Sequence, residues 1–279
     1  MAFKIIGDSC CDFTKLDYRK GNVASVPMSI LIGGVEYRDD GKRPQEEWIR
    51  LIKEDPGYPQ SACPSPDAFM DEFEEDKDNY VVTLSSKISG VYNSATLAKQ
   101  IYEEDHEDAR IHVFDSWSAA AGEHLIYELI AERAAAGMPF EQVIEEVEAI
   151  RDRMQTIFVL DDLETFKKNG RLKGIKALVA TTMNIKPVLV SNEGVIDQID
   201  QSIGMQRAVN RMLWHIEKMK IDPEGKKVRI SQCDSKELCT KVAHVMRERF
   251  GFQDIKIITG NGLTTTYENP GGIVMAIET

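Results

Sequence analysis

The stretch Thr83-Leu84-Ser85-Ser86-Lys87-Ile88-Ser89-Gly90-Val91-Tyr92-Asn93-Ser94-Ala95 crowds hydroxyls between two patterned segments. Before it runs Tyr80-Val81-Val82, a buried-strand pattern; after it Ala95, Leu97, Ala98 and Ile101 recur at helical spacing. A strand therefore turns into a helix through a polar loop. The first backbone N–H groups of a helix lack intrahelical acceptors and lie at the positive end of its dipole, so such a turn can hold an anion. Ser89 is equally suited to capping the helix, and the segment alone leaves capping and ligand binding both open.

Two further polar turns share this character, Ser61-Ala62-Cys63-Pro64-Ser65-Pro66 and Asp8-Ser9-Cys10-Cys11-Asp12. Each adjoins a strand or helix start. Open α/β sheets bind ligands outside the carboxyl ends of their strands, where such turns converge, so the three clusters predict one pocket.

The elements that must position these turns alternate through the first half. Strand patterns cover residues 3–6, 23–32, 80–84 and 111–115, and helix patterns cover 45–53, 66–75, 93–105 and 119–136. Alternation of this kind favours a parallel sheet covered on both faces. A helix over 140–154 and a strand over 156–160 follow, after which the character changes. Beyond Asp161 come a basic helix and loop, a hairpin around Ser191-Asn192-Glu193, long amphipathic helices over 206–219 and 235–250, and strands over 227–232, 255–258 and 272–277. The expected fold class is α/β in two domains. Residues 1–160 form a three-layer domain with a mainly parallel sheet and the polar turns; residues 161–279 form a two-layer α+β domain with a mixed sheet, and segments can be exchanged between them. A chain of 279 residues lies where one core ordinarily becomes two.

Composition narrows the function. Hydrophobic and charged fractions of 42% and 29% are those of a globular protein, and no apolar run approaches the roughly 18 residues of a membrane span. Stable membrane insertion is not expected. Met1-Ala2-Phe3-Lys4 runs straight into a strand pattern without the parts of a secretory signal, which predicts a cytoplasmic protein. The net charge of −12 argues against a nucleic-acid partner, which needs a clustered positive field. Cys10, Cys11, Cys63, Cys233 and Cys239 are odd in number and lack CxxC spacing or adjoining histidines, so they read as free thiols and not as a disulfide frame or metal site.

Three chemistries fit hydroxyl-rich turns. One is a binding protein that holds an anionic headgroup; a second is an acyl hydrolase or transferase using Ser61, Ser89 or Cys63 as nucleophile; a third is a nucleotide or sugar-phosphate binder. No G-x-S-x-G elbow is present, and His106, His112, His124, His215 and His244 all fall in helical or strand patterns away from the turns. G-x-G-x-x-G and G-x-x-x-x-G-K-[ST] are also absent. A binding protein needs no catalytic residue, metal or cofactor, and is the reading favoured here.

From end to end the chain also resembles the DegV family of bacterial lipid-binding proteins. Ile5-Ile6-Gly7-Asp8-Ser9 is similar to the family's first strand and Asp-Ser turn, and Val26-Pro27-Met28 with Tyr37-Arg38-Asp39-Asp40 to its next segment. Ser61-Ala62-Cys63-Pro64-Ser65 stands where the family usually has Thr-Ser-Gln-Pro-Ser, and Leu84 to Ala95 resembles its Ser-Gly-Thr-Tyr segment. Leu163-Glu164-Thr165-Phe166-Lys167-Lys168-Asn169-Gly170-Arg171-Leu172 and Asn184-Ile185-Lys186-Pro187-Val188-Leu189 match in spacing and character. The resemblance implies a long-chain fatty acid buried between the two domains. Its carboxylate would lie at Ser61, Ser89, Gly90, Asn93 and Tyr267, and its chain against Met28, Ile30, Met183 and Ile185. Burying about a dozen methylenes at roughly 0.8 kcal/mol each supplies on the order of 10 kcal/mol before ordering is counted.

The resemblance further implies that the acid is presented to a separate kinase, with Arg171 in the basic stretch Lys167 to Lys173 as the partner contact. The same stretch suits a solvated helix end with Gly170 as its terminator. Two positions depart from the family pattern. Tyr267 replaces the histidine of Thr-His-Thr-Gly-Pro-Gly, and a phenol can donate a hydrogen bond but does not exchange its proton at neutral pH as an imidazole does. Glu268 beside it would oppose an anionic ligand if it faced inward, and Cys63 replaces a glutamine in the first turn.

Overall fold

A computed structural model of the chain describes residues 2–172 and 184–279. Its first sheet is parallel, in the order β2-β1-β6-β7, from β1 (Phe3–Asp8), β2 (Val23–Val26), β6 (Asp78–Thr83) and β7 (Arg110–Asp115). β6 is buried along its whole length, as expected of a strand covered on both faces. The second sheet is mixed and six-stranded, β10-β9-β8-β13-β11-β12, from β8 (Gln155–Val159), β9 (Ile185–Asn192), β10 (Val195–Ile203), β11 (Lys227–Gln232), β12 (Asp254–Thr259) and β13 (Ile273–Ile277). The α/β class with a mainly parallel and a mixed sheet is therefore observed.

Helix α5 (Ala121–Ala135) explains how the two sheets share a core. It contacts β1 and β6 of the first sheet and β11 and β13 of the second, and is buried on nearly every side. A helix buried on nearly every side has no broad solvent face to offer and sits between layers. α3 (Pro66–Met70) and α4 (Val91–Asp105) pack together, with α4 on the other face of the parallel sheet; α8 (Met205–Met219) and α9 (Lys236–Glu248) cover the far face of the mixed sheet. α6 (Phe140–Arg151) lies beside α5. None of the described helices is long and apolar enough to cross a membrane.

Three departures from the sequence expectation bear on the site. The strand pattern over 23–32 divides at Pro27: β2 stays in the parallel sheet, whereas β3 (Ser29–Ile32) pairs with β4 (Val35–Arg38) and β5 (Gln60–Ala62) in a small antiparallel sheet. Proline cannot donate to a ladder, and the N–H of Met28 instead donates to Ser9 Oγ at 2.8 Å. Second, β8 precedes residue 160 in sequence but pairs with β13 and β9 in the mixed sheet. Third, a short helix, α10 (Gly262–Glu268), which no sequence pattern indicated, stands before a turn at 269–272. The turn itself is present, with Asn269 and Gly271 at positive φ and the Gly272 N–H donating to the Asn269 carbonyl at 3.0 Å.

Candidate functional site

The carboxyl ends of the parallel strands are tied by buried carboxylates. Asp8 accepts from the N–H groups of Cys10 and Leu84, both at 2.8 Å, which fixes the turns after β1 and β6 side by side. Asp39 accepts from Gly262 and Leu263 N–H at 2.9 and 2.7 Å, and Asp12 from Asn261 N–H at 2.6 Å and Thr264 Oγ1 at 2.8 Å. These bonds satisfy the orphan donors at the start of α10 and hold it over the strand ends. Burial pushes Asp8 and Asp39 up to about 6.

Between these strand ends and the mixed sheet lies a cavity with about 800 Å³ of non-atom space, its open mouth included. Phe158, Leu160, Ile196 and Val274 supply apolar wall from the second sheet and the turn after β8, while Leu84 and Ile88 supply it from the turn after β6. The wall is mostly apolar, with the polar groups in separate clusters.

At one cluster Ser61 Oγ and Tyr267 OH lie 3.0 Å apart. Phe166, on α7 (Glu164–Lys168), packs edge-on against the Tyr267 ring with centroids 4.9 Å apart, and the Arg171 guanidinium lies 5.9 Å from the same ring. Ser89 also lines the cavity; its hydroxyl accepts from Val91 N–H at 3.4 Å and meets Cys63 Sγ at 3.5 Å. The N-cap of α4 is Gly90 and carries no side-chain cap, so Ser89, one residue earlier, is not the helix cap and instead faces the cavity.

Of the expected site residues, the fold brings Met28, Ser61, Ser89, Tyr267 and Arg171 to the cavity wall. Gly90 and Asn93 are exposed and off the wall, because α4 starts at Val91 and turns them outward. Ile30 is fully buried in the core and Ile185 half-buried at the start of β9, neither lining the cavity. Met183 lies outside the described residues. Arg171, expected as an outward contact, is half-buried and donates to the Asn169 carbonyl at 2.8 Å.

Glu268 does border the cavity, yet it is 2% exposed and accepts from Ser231 Oγ at 2.7 Å. Burial pushes it up to about 8, so near neutrality its carboxyl is mostly protonated and the expected clash with an anion is largely removed. Sequence reasoning missed the Ser118-Ala119-Ala120 wall. Its shape depends on positive φ at Trp117 (51°) and Ala120 (49°), which no glycine announces. The hydroxyls of Ser116 and Ser118 just after the β7 pattern were the available signal.

No histidine lines the cavity among the described residues. His124 bonds the Cys11 carbonyl at 2.8 Å and meets Lys256 Nζ at 3.0 Å, His215 bonds Asp200 at 3.1 Å, and His106 stacks on Tyr102. The hydroxyls at the cavity thus lack an imidazole base. Nor is any group of three or more His, Cys, Asp or Glu side chains placed to hold a metal among the described residues.

A family profile described as an uncharacterised protein of the DegV family matches residues 2–278. A DegV domain-containing protein of Streptococcus pneumoniae is 33% identical over 281 residues, covering 100% of this chain and 99% of its own. Among solved structures, a DegV family protein from Ruminococcus gnavus described with vaccenic acid is 38% identical, with a TM-score of 0.94 over 99% of each chain. The fatty acid kinase (Fak) B3 protein of Streptococcus pneumoniae, loaded with linoleic acid, is 31% identical, with a TM-score of 0.91 over 100% of this chain and 99% of its own. A DegV family protein from Eubacterium eligens loaded with heptadecanoic acid is 27% identical, with a TM-score of 0.90 over 100% of both chains.

Proposed function

This chain belongs to the DegV family, and on that footing we propose that it binds one long-chain fatty acid in the cavity between its parallel and mixed sheets. The observation that carries the proposal is a largely apolar chamber with a hydroxyl cluster on its wall, in a fold shared with relatives loaded with vaccenic, linoleic and heptadecanoic acids. The acyl chain lies against Phe158, Leu160, Met28 and Val274. The carboxylate takes hydrogen bonds from Ser61, Tyr267 and Ser89, and Arg171 supplies positive charge beside it.

Ser61 and Tyr267 suit this task because only one of their two O–H bonds can lie between them, leaving the other for the ligand. The hydroxyls take the direct hydrogen bonds to the carboxylate, while the Arg171 charge acts from over the Tyr267 ring, which leaves the carboxylate oxygens nucleophilic. We further propose that the chain is the acid-binding subunit of a fatty acid kinase system: a carboxylate oxygen of the ligand attacks the terminal phosphorus of a phosphoryl donor held by a separate kinase, the new O–P bond of the acyl phosphate forming as the donor's own P–O bond breaks and its leaving group stays with the kinase. The chain then supplies orientation and exclusion of water, with no catalytic residue of its own. Similarity to the Fak B3 protein supports this, as does the half-buried Arg171 on the cavity wall. Five free thiols, four of them buried, support a reducing, cytoplasmic setting.

The direct test is thermal denaturation of delipidated protein with palmitate, oleate or their methyl esters. Both acids raise the melting temperature by mass action and the esters raise it less; no shift with either acid refutes the proposal.

A further inference from the structure

Along β8 the side chains of Thr156 and Phe158, with Leu160 just beyond, come to the cavity side, while Ile157 and Val159 pack into the core on the other face. The Leu160 end adjoins the headgroup cluster: the next turn meets Asn269, whose Nδ2 donates to the Asp162 carbonyl at 3.4 Å, and Phe166 packs on Tyr267. Thr156, four residues earlier, therefore lies about 13 Å farther along the strand. There the wall is not apolar. Thr156 Oγ1 meets Ser118 Oγ at 2.8 Å, and Ser191, the cross-strand neighbour of Thr156 on β9, lines the cavity as well.

The hydrogen-bond inventory of this second cluster is incomplete. One O–H lies between Thr156 and Ser118; the other acceptor within reach of Ser118 is the Ala119 carbonyl at a long 3.4 Å, and Thr156 has no further partner among the described residues. The Ser191 hydroxyl donates to the Trp117 carbonyl and so can only accept, and each oxygen of the cluster keeps a lone pair free. Thr156 and Ser191 also border an outer cleft with Arg151, Asn192 and Asp197, so this end of the cavity abuts polar surroundings.

From this geometry we infer that Thr156 and Ser118, with Ser191 beside them, form a recognition site for a hydroxyl on the acyl chain. The ligands then include long-chain acids hydroxylated in their distal half. The inference rests on the fatty-acid reading above and adds a substrate class to it. An apolar wall would reject a buried hydroxyl, whereas this wall can both donate to it and accept from it.

Calorimetric titration of delipidated protein separates the possibilities, with palmitate and stearate set against ω-hydroxypalmitate and a hydroxystearate substituted in its distal half. At least one hydroxylated acid binds within about threefold of its parent in the natural protein. In Thr156→Val/Ser118→Ala it falls by about tenfold relative to that parent, and Thr156→Ser restores the ratio. If the two hydroxyls merely tie the sheets together, stability changes but the ratio does not, and the inference is overturned. It is equally overturned if both hydroxylated acids bind the natural protein more than tenfold more weakly than their parents. Should the double variant fail to fold, Thr156→Val alone carries the test, since it keeps the side chain's shape. Failure of palmitate itself to bind contradicts the fatty-acid reading and not this addition to it.

Discussion

Ser61 Oγ and Tyr267 OH lie 3.0 Å apart across 206 residues of sequence. The contact joins β5 of the small antiparallel sheet to α10, whose start is pinned by Asp12 and Asp39 from the first sixth of the chain. Position, not basicity, is what this arrangement supplies.

Because the two hydroxyls share one hydrogen bond, their contributions to ligand binding are coupled. Tyr267→Phe and Ser61→Ala each weaken binding of palmitate by about 0.5–3 kcal/mol, and the double variant loses less than the sum. Titration calorimetry on the acid and its methyl ester checks this, the ester being much less affected.

Arg171 stands over the Tyr267 ring at the cavity wall. Arg171→Gln is expected to weaken palmitate binding by about 0.5–1.5 kcal/mol and to reduce its salt dependence, leaving ester affinity unchanged. With a matching kinase present, acyl phosphate formation also falls, even at saturating acid.

Stability of the ligand-free protein should decline with rising pH over the range in which its buried acids ionise. Asp8 and Asp39 are raised to about 6 and Glu268 to about 8, all by burial. A carboxyl with a raised folded-state pKa binds its proton more tightly folded than unfolded. Its stabilisation is therefore complete below the unfolded value near 4 and is lost as pH climbs through the folded one. Urea midpoints are expected to be higher at pH 6 than at pH 8.5, with a smaller difference in Glu268→Gln.

Gly122 in α5 allows the helix to pass beneath the Ser118–Thr156 pair. A Cβ there would stand 2.0 Å from Ser118 Oγ and 2.9 Å from Thr156 Oγ1. Gly122→Ala is thus expected to destabilise the protein by about 1–3 kcal/mol although alanine is the better helix former. Chemical denaturation measures the sign directly.

What was legible in the sequence follows from how local each signal is. Ser61 and Ser89 could be assigned to one pocket because hydroxyls beside strand ends have a local meaning, whereas Met28 and Tyr267 entered only through the family resemblance. Gly90 and Asn93 stand off the cavity wall because α4 starts at Val91, and a shift of a fraction of a helical turn decides which way they face. α10 gave little signal: Thr264, Thr265 and Thr266 are β-branched, and the helix exists because carboxylates distant in sequence satisfy its first N–H groups. The membership of β8 in the mixed sheet was likewise hidden, because pairing with β13 and β9 is a relation between distant segments and leaves no trace in 155–159 alone.

The central claim is that the cavity holds one free long-chain fatty acid. Protein expressed in bacteria, purified without added lipid, denatured and extracted for mass spectrometry tests it most directly. The account predicts about one long-chain acid per chain, reduced in Ser61→Ala/Tyr267→Phe. Extracts with no stoichiometric lipid, from protein that also fails to take up added palmitate or oleate, would contradict it.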